Sequence, residues 1–555
     1  MNIKRMIADA INYNETDFEN LIIESISHDK GDYSLPCFSL AKVLRDNPMN
    51  IANKIAQTVQ TGGIIARCEV VAGYINFFLN KEYVAREILN HFSKNNFLYN
   101  EGNGKTVCID YCSVNLAKYM HIGHIKNSFL GESFARLFEN AGYKVVRINY
   151  VGDYGTPYGK IIAGMQLWGN EEDIEKRGID ALQDYYVRFN AAEAEDPNLS
   201  QLARDIFKKI EDRDDEFYPI YQRVLKIAIK EAERLLDILG IKFDSWKGEA
   251  SYADDLEDVV KFLDSKHLLQ SSEGATIVDL SEYDMPPCLI KRSDGASLYA
   301  TRDLAAALDR YNTYKFDKSL YLTGVEQKLH FAQFFKVLEL AGVEFANGLE
   351  HIAYGRFSLP DGKISSRRGK QAILVDLLDY VLNKANDVIK DRSFSIEKPE
   401  DVAHKVAKSV LAFNALNIER HKDAIFDLER AFSFEGETAP YMQYTYTRLE
   451  SILRKYEEIS TDADYSCLND EAFDIIKSIN DFKSTIKNAL DKRDPSLILK
   501  RVMEMCKMFN KFYTTTKVLD GNDATTKAKI ALITALRDTL AVGFNLLCIE
   551  TLQEM

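Results

Sequence analysis

The sequence predicts a multidomain α/β protein in which a mostly parallel sheet covered by helices stands between a small N-terminal α+β domain and a C-terminal all-α helical bundle. Three observations predict this arrangement. Between residues 105 and 389, short apolar runs alternate with helical patterns, the order of a parallel sheet with crossover helices. An acidic, glycine-poor stretch from Glu171 to Leu239 interrupts that order and indicates a helical insertion. From about Ser393 to Met555 glycine and proline are scarce, as in packed helices.

Length and composition are those of an ordinary soluble globular protein. The 555 residues leave room for three or four domains, and 46% apolar with 28% charged residues is a usual balance. We expect no membrane segment and no signal peptide, and the eight scattered cysteines without a C-x-x-C pair predict reduced thiols in the cytoplasm. The net charge of −14 gives no support to a nucleic-acid partner, which would require local basic surfaces.

The sequence predicts that the first 95 residues form a separate domain. The Asn- and Gly-rich run 95–104 that follows is typical of a linker. The apolar patterns predict helices over Ile3–Ile11 and Pro48–Thr58 and a strand over Val71–Leu79. The aromatic residues of that strand, Tyr74, Phe77 and Phe78, are open to two interpretations: core residues or an interaction surface.

A strand, a polar turn and a helix start follow one another just after the linker. Val107–Tyr111 reads as a buried strand, Ser113–Lys118 as the turn, and the helical period opens at His121. A helix N-terminus in this position attracts anions, because its backbone N–H groups and its dipole point outward. His121 and His124 project from the same side of the first turn, and Gly123 lets a flat ring or a phosphate approach the backbone. The pattern suits a nucleotide triphosphate.

Two other interpretations also fit these histidines. They could be surface or core residues of an ordinary helix. Alternatively, Cys108, Cys112, His121 and His124 could bind zinc. On an extended strand the two thiols would lie roughly 13 Å apart, too far to share a tetrahedral ion, so we expect no structural zinc.

The second half of the predicted sheet domain runs from about Gly274. Asp294-Gly295 signals a hairpin, and Thr301 is placed to cap the helix that follows it. Asp303 would then lie in the first turn, where it could suit the dipole or face a substrate. The patterns predict strands over Thr276–Leu280, Leu289–Arg292 and Ser319–Thr323, and helices over Asp303–Tyr311 and Leu329–Leu340.

A basic loop follows, in the sequence LPDGKISSRRGKQ from Leu359 to Gln371. Pro-Asp-Gly forms a turn, and Lys363, Arg367, Arg368 and Lys370 come directly after it. Such a loop can fold over a triphosphate and neutralise charge that develops on it. A solvated surface loop is the alternative.

The motifs together resemble one family. HIGH at 121–124, preceded by SVNLAK at 113–118 and followed by NYVGDYGT at 149–156, resembles the first signature of class I aminoacyl-tRNA synthetases, and among them the arginyl-tRNA synthetases. KISSR at 363–367 resembles the second signature, with Ser366 in place of the usual second lysine, which leaves open the cation that substitutes for it. The resemblance implies an elbow-binding domain at 1–95, a Rossmann-like catalytic domain at 105–389 with an insertion at about 170–273, and an anticodon-binding helical domain at 390–555. Ile241–Glu249 resembles the return strand of the family's connective insertion.

The resemblance also implies roles for individual residues. A guanidinium prefers a carboxylate fork and a flat aromatic surface, which Asp303 and Tyr299 could provide. Asp110 stands where many relatives carry Glu. The implied catalytic residues are His121, His124, Lys363 and Arg367, and ATP binding falls to His121, Gly123, His124, Lys363 and Ser365. The implied arginine-binding residues are Asp110, Asn115, His121, Tyr299, Asp303 and Gln327.

The activity implied is the ATP-dependent ligation of L-arginine to tRNA(Arg) through an arginyl-adenylate, with Mg²⁺ accompanying ATP and no metal site in the chain. Tyr and Arg along Ala439–Arg448 suit base stacking and phosphate contact, although a bundle core explains the aromatics almost as well. We expect a monomer. A synthetase paralogue that binds RNA without charging it, or another adenylate-forming nucleotidyltransferase, would be the alternatives.

Overall fold

The computed structural model describes residues 1–13, 17–25, 28–292, 299–360, 373–390, 397–458 and 460–555, with the side chain of residue 299 left out. The N-terminal part is an antiparallel sheet of order β1-β2-β4-β3 with helices packed on it. Its elements are α1 (Ile3–Asp9), β1 (Ile23–Glu24), β2 (Tyr33–Pro36), α2 (Phe38–Leu44), α3 (Pro48–Ala56), β3 (Ile65–Val71), β4 (Tyr74–Leu79) and α4 (Lys81–Asn90).

The predicted helices at α1 and α3 are confirmed, whereas the predicted strand over 71–79 is wrong at its start. The chain turns at Ala72 and Gly73, whose φ angles of 50° and 83° are left-handed, so β4 begins only at Tyr74. Of the three aromatic residues only Phe77 is fully buried. Tyr74 is exposed, and the guanidinium of Arg67 lies 3.4 Å from the ring centroid of Phe78.

The predicted linker at 95–104, which precedes the central part, is packed at its start. Residues 94–97 form a 3-10 helix, and Phe97 contacts Phe482 with ring centroids 5.3 Å apart. The first half of the central part holds β5 (Thr106–Asp110), α5 (Gly123–Asn140), β6 (Lys144–Ile148) and α6 (Thr156–Trp168). The predicted helical insertion is α7 (Glu171–Arg177), α8 (Ile179–Glu195), α9 (Asn198–Glu211) and α10 (Phe217–Ile238). The second half holds α11 (Leu256–Ser265), β7 (Leu269–Ser272), β8 (Ala275–Val278), β9 (Cys288–Lys291), α12 (Tyr299–Tyr314), β10 (Lys318–Gly324), α13 (Lys328–Leu340), β11 (Leu349–Tyr354) and β12 (Phe357–Ser358).

A four-stranded parallel sheet of order β11-β10-β5-β6 organises this part. Val107, Cys108 and Ile109 in β5 are fully buried, as expected of a central strand covered by helices on both faces. Asp110 ends β5 and pairs with Tyr321 of β10 on one side and with Ile148 of β6 on the other. The carboxyl ends of these strands, where ligands bind in open α/β sheets, therefore converge around Asp110.

Two predicted strands do not belong to the parallel sheet. β8 and β9 were expected to alternate with helices in it, but they pair antiparallel with each other, and β7 completes a separate three-stranded sheet. The return strand suggested for Ile241–Glu249 is also wrong: only Ser245 makes an isolated parallel bridge, to Ile148. A local apolar pattern predicts a strand but does not specify its partner, which explains the error at β8 and β9.

The C-terminal part is helical, as predicted, and it contacts the central part through a short strand pair and through side chains of α5. Its elements are α14 (Leu374–Lys390), α15 (Pro399–Leu416), β13 (Ala424–Ile425), α16 (Ala439–Arg454), α17 (Asp470–Lys492), α18 (Ser496–Thr515) and α19 (Asp523–Leu546). β13 pairs in parallel with β12. On α5, the Ser133 hydroxyl donates to the Leu546 carbonyl at 2.7 Å and Arg136 Nη1 donates to the Asn545 carbonyl at 2.8 Å. The multidomain α/β class expected from the sequence is confirmed.

Candidate active site

The turn that follows β5 has an unusual backbone. Cys112 and Ser113 have φ angles of 71° and 49°, a left-handed conformation that costs a non-glycine residue about 1–2 kcal/mol. The turn brings the Ser113 hydroxyl to 3.3 Å from Asp110 Oδ1, to which it donates a hydrogen bond. Two consecutive strained residues at the end of a central strand persist only where the surroundings hold them, as at ligand sites.

Two cavities adjoin at this turn. The histidine cavity, about 580 Å³, is lined among others by Ser113, His121, Gly123, His124, Thr323, Gln327 and Arg356. The acidic cavity, about 450 Å³, is lined among others by Asp110, Ser113, Asn115, Glu249, Asp303, Arg310, Thr323 and Gln327. Ser113, Thr323 and Gln327 line both cavities, so a ligand in one can meet a ligand in the other at these three residues.

The two histidines of the histidine cavity are neutral. Burial lowers the pKa of His124 to about 3 and also lowers the pKa of His121, with the nearby charge of Lys118 adding to the shift at His121. The imidazole centroids are 4.1 Å apart. His121 Nδ1 accepts the Gly123 N–H at 3.1 Å, which places its proton on Nε2. His121 therefore offers an Nε2–H donor at the start of α5, and neither ring contributes imidazolium charge.

Gly123 makes room for His121. The sequence prediction was that the missing side chain lets a ligand ring or a phosphate reach the backbone. A Cβ at residue 123 would lie 2.8 Å from His121 Cε1 and 2.9 Å from its Nδ1, closer than real Cβ contacts. The ring that uses the space in this structure is the imidazole two residues earlier, so the glycine fixes the orientation of His121.

Asp110 is on the wall of the acidic cavity but its carboxylate already has protein partners. Arg310 Nη2 lies 2.8 Å from Oδ2, and the Ser113 hydroxyl binds Oδ1. Arg310 is buried between Tyr150 and Tyr321, whose ring centroids lie 5.1 and 5.4 Å from its guanidinium carbon. Burial raises the pKa of Asp110, and the charge of Arg310 opposes that shift. Asp110 thus meets an arginine of the chain itself, an interaction that the sequence did not predict.

Asp303 lies further from the N-terminus of its helix than the sequence predicted. Because α12 begins at Tyr299, Asp303 is in the second turn, and the first-turn dipole explanation no longer applies to it. Thr301 is inside the helix and donates to the Ile290 carbonyl at 2.6 Å, so its predicted capping role is wrong. The Asp303 carboxylate accepts a hydrogen bond from His330 Nε2 at 2.6 Å at the edge of the acidic cavity.

Glu249 is a cavity residue that the sequence analysis missed. It opens a 3-10 helix, Glu249–Tyr252, and its side chain lines the acidic cavity together with Asp303. Burial raises its pKa to about 7, the charges of Asp303 and Asp153 add to that shift, and Arg302 opposes it. Its only signal in the sequence was its place at the end of 241–249, which had been interpreted as a strand.

The remaining predicted residues are divided between the two cavities and the undescribed segments. Asn115 lines the acidic cavity, and its Oδ1 accepts the Ala117 N–H at 3.1 Å. Gln327 ends a 3-10 helix, Val325–Gln327, after β10 and reaches both cavities. His121 lines the histidine cavity, separate from most of the predicted arginine ligands. Lys363, Ser365 and Arg367 lie outside the described residues, as does the Tyr299 side chain.

Neither a cluster of metal ligands nor a membrane-spanning helix occurs within the described segments. No group of three or more His, Cys, Asp or Glu side chains there could hold a metal ion. None of the helices in the part of the chain that the structure describes is both long enough and apolar enough to cross a bilayer.

Fold and site together define a class I aminoacyl-tRNA synthetase. A parallel sheet carries HIGH at the start of the helix after its central strand, a neutral donor cavity stands beside an acidic one, and a helical domain follows. The family model for "tRNA synthetases class I (R), catalytic domain" matches residues 87–428. The models for the "Arginyl tRNA synthetase N terminal domain" and the "DALR anticodon binding domain" match residues 1–79 and 442–555.

Known proteins specify the family further. The chain is 41% identical to the arginine--tRNA ligase of Clostridium botulinum over 558 residues, with 100% of this chain and 99% of that protein covered. It is 39% identical to the arginine--tRNA ligase of Halothermothrix orenii, covering 99% and 98%. The solved arginyl-tRNA synthetase of Thermus thermophilus has the same fold, with a TM-score of 0.82 at 23% identity over 100% of this chain and 99% of that one. The chain belongs to the arginyl-tRNA synthetase family.

Proposed function

We propose that the chain ligates L-arginine to tRNA(Arg) in two steps through an arginyl-adenylate. The observation that carries this proposal is the junction of the two cavities at Ser113, Thr323 and Gln327. A cation-binding cavity and an anion-binding cavity that meet there suit an amino-acid carboxylate directed at the α-phosphate of ATP. Attack forms the mixed anhydride and releases pyrophosphate, and the terminal ribose hydroxyl of tRNA then displaces AMP. Both steps depend chiefly on positioning and phosphate electrostatics.

ATP belongs in the histidine cavity under this proposal. The Nε2–H of His121 would donate to a phosphate oxygen, the positive end of the α5 dipole would favour the phosphate charge, and His124 lines the same cavity. Mg²⁺ would enter with ATP as part of the substrate. Lys363, Ser365 and Arg367 would close over the triphosphate from the basic loop. Arg356 lines the same cavity and Lys118 acts on His121, so each is a candidate for the cation that replaces the missing signature lysine.

Arginine belongs in the acidic cavity. We place its guanidinium between Asp303, Glu249 and the ring of Tyr299, because carboxylates and a flat ring match its charge and shape. Asn115, Ser113 and Gln327 would then meet the α-amino and carboxylate end near the junction. Asp110 acts through its pair with Arg310 and its bond from Ser113, and His121 meets the amino acid only where its carboxylate reaches the phosphate.

Transfer RNA binding uses the flanking domains in this proposal, 1–95 for the elbow and 390–555 for the anticodon. Arg448 on α16 lies between Tyr444 and Tyr513, with its guanidinium carbon 4.9 and 5.0 Å from their ring centroids. A partly exposed stack of two rings and a cation suits unpaired bases and phosphate. We further propose that the protein acts as a cytoplasmic monomer.

Pyrophosphate–ATP exchange across the standard amino acids, with and without total tRNA, tests the function. We expect exchange with arginine alone among them, and only when tRNA(Arg) is present. Exchange driven by another amino acid would refute the specificity. Strong exchange with arginine in the absence of tRNA would refute the tRNA requirement. Tight tRNA binding without exchange would favour the silent paralogue.

A further inference from the structure

Asp153 is a buried carboxylate that stands directly behind Glu249. It is 7% exposed and lies in the segment between β6 and α6. Its Oδ1 accepts the Ala250 N–H at 2.7 Å, and the Val151 carbonyl accepts the Glu249 N–H at 3.1 Å. The N–H of Glu249 and the N–H of the next residue are therefore both bound by residues 151–153.

The backbone before Glu249 closes on the same carboxylate. A Cβ at Gly248 would lie 2.6 Å from the Asp153 carboxyl carbon and from both of its oxygens, so a larger residue there would displace the carboxylate. Residues 241–248 form neither helix nor strand, and the 3-10 helix that Glu249 opens has no side-chain cap of its own. Asp153 provides that cap from a different part of the chain.

Burial makes the ionised form of Asp153 less favourable. Burial raises its pKa to about 6, while the Ala250 N–H and the charge of Arg302 oppose the shift. Arg302 is 7% exposed and its guanidinium carbon lies 3.9 Å from the ring centroid of Tyr154. The Tyr221 hydroxyl of the insertion donates to the Asp153 carbonyl at 2.6 Å. A buried carboxylate whose desolvation is only partly offset by its partners is a poor way to stabilise a loop, and its close contacts with 248–250 point to a geometric task.

We propose that Asp153 is a positioning residue: it sets the direction of Glu249 in the wall of the acidic cavity and thereby the affinity for the arginine guanidinium. The proposal rests on the placement of arginine in that cavity. Asp153 touches no substrate in this arrangement and acts only through the backbone of 248–250.

Steady-state exchange kinetics with tRNA present test the proposal. Asp153→Ala removes the acceptor for the Ala250 N–H, so we expect the arginine KM to rise about tenfold while the ATP KM changes less than about twofold. Asp153→Asn keeps an acceptor oxygen and should restore most of the arginine KM. Asp254→Asn, an exposed carboxylate paired with Arg213 close by, is the matched control and should leave both constants unchanged.

A double-mutant cycle separates positioning from general stability. In the Glu249→Gln background, Asp153→Ala should change the arginine KM less than about twofold, because the side chain that Asp153 orients has already lost its charge. Multiplicative effects of the two changes would overturn the proposal. So would a lower melting temperature for Asp153→Ala with an unchanged arginine KM.

The outcomes also distinguish this proposal from the proposed placement of arginine in the acidic cavity, on which it rests. An unchanged arginine KM in Glu249→Gln alone would refute the guanidinium placement and with it the role of Asp153. A raised KM in Glu249→Gln with no change in either Asp153 variant would refute only the positioning. If Asp153→Ala does not fold, Gly248→Ala presses on the same carboxylate and should raise the arginine KM. A normal arginine KM in folded Gly248→Ala would overturn the proposal.

Discussion

Selectivity for a cationic amino acid depends, at the scale of single residues, on carboxylates that the protein has not neutralised itself. Asp110 is balanced by Arg310 at 2.8 Å, so the cavity charge that remains for a substrate comes from Glu249 and Asp303. Asp303 is held by His330 at 2.6 Å, which fixes the direction of its second oxygen. A carboxylate oriented in this way can accept a forked guanidinium without reorganisation.

Asp303→Ala and Asp303→Asn test that assignment. We expect either change to raise the arginine KM by a factor on the order of 10², about 3 kcal/mol, while the ATP KM stays nearly constant, because one substrate alone loses a charge-assisted contact. Asp258→Ala on α11, which breaks an exposed ion pair with Lys261, serves as the control. An unchanged arginine KM in a destabilised Asp303 variant would make Asp303 a structural residue.

Glu249 predicts a pH dependence. Its pKa is raised to about 7 by burial, so lowering the pH through 7 protonates the free enzyme at the group proposed to bind a cation. We expect kcat/KM for arginine to fall about tenfold per pH unit below that value. Both histidines of HIGH have lowered pKa values, and His124 stays neutral down to about pH 3, so they add no inflection near 7. Glu249→Gln should flatten the profile, and a profile of unchanged shape in that variant would contradict the assignment.

Among the secondary-structure elements, the sequence predicted those whose signal is local. The strand at Thr106–Asp110 and the helix from Gly123 follow from one apolar run, one polar turn and one helical period. The strands at β8 and β9 were recognised but assigned to the wrong sheet, because partner choice depends on contacts distant in the chain. The Thr301 cap failed for a related reason: the hydroxyl binds the Ile290 carbonyl, which sequence spacing does not reveal.

Gly123→Ala tests the turn that opens α5. The added Cβ would press on the His121 ring at 2.8 Å, so we expect adenylate formation to fall about tenfold or more, approaching the loss in His121→Ala. Stability should hold or improve by up to about 1 kcal/mol, since alanine favours the helix. Gly63→Ala, where a Cβ meets nothing within 4 Å, is the matched control. Normal exchange activity in Gly123→Ala would show that the glycine does not orient His121.

At the scale of the whole molecule, the sequence did not predict the parts of the site that depend on contacts between distant positions in the chain. Asp110 and Arg310 are 200 positions apart, and Glu249 reaches the cavity only because Asp153 binds the backbone beside it. Resemblance located the residues of local motifs, such as Asn115 and Asp303, but not these long-range pairs. The C-terminal helices are likewise held against α5 of the catalytic domain, by hydrogen bonds from Ser133 and Arg136. A chain shortened to Ile389 would lose those partners, so tRNA binding is better tested in the full chain.

Arg448 and Tyr513 provide that test at the largest scale. The stack of Tyr444, Arg448 and Tyr513 lies in the helical domain, away from both cavities. We expect Arg448→Ala to weaken tRNA binding and to reduce the salt dependence of log Kd by about one unit, since one phosphate contact disappears. Tyr513→Ala should weaken binding by about 1–3 kcal/mol with the salt slope unchanged, because stacking is lost without charge. Arg234→Ala on the insertion, which breaks only a surface pair with Glu231, is the control for removing an arginine. Equal tRNA affinity for the wild type and for both stack variants, measured across salt concentrations, would refute the assignment of this surface to RNA and leave α16 and α18 as a packed bundle alone.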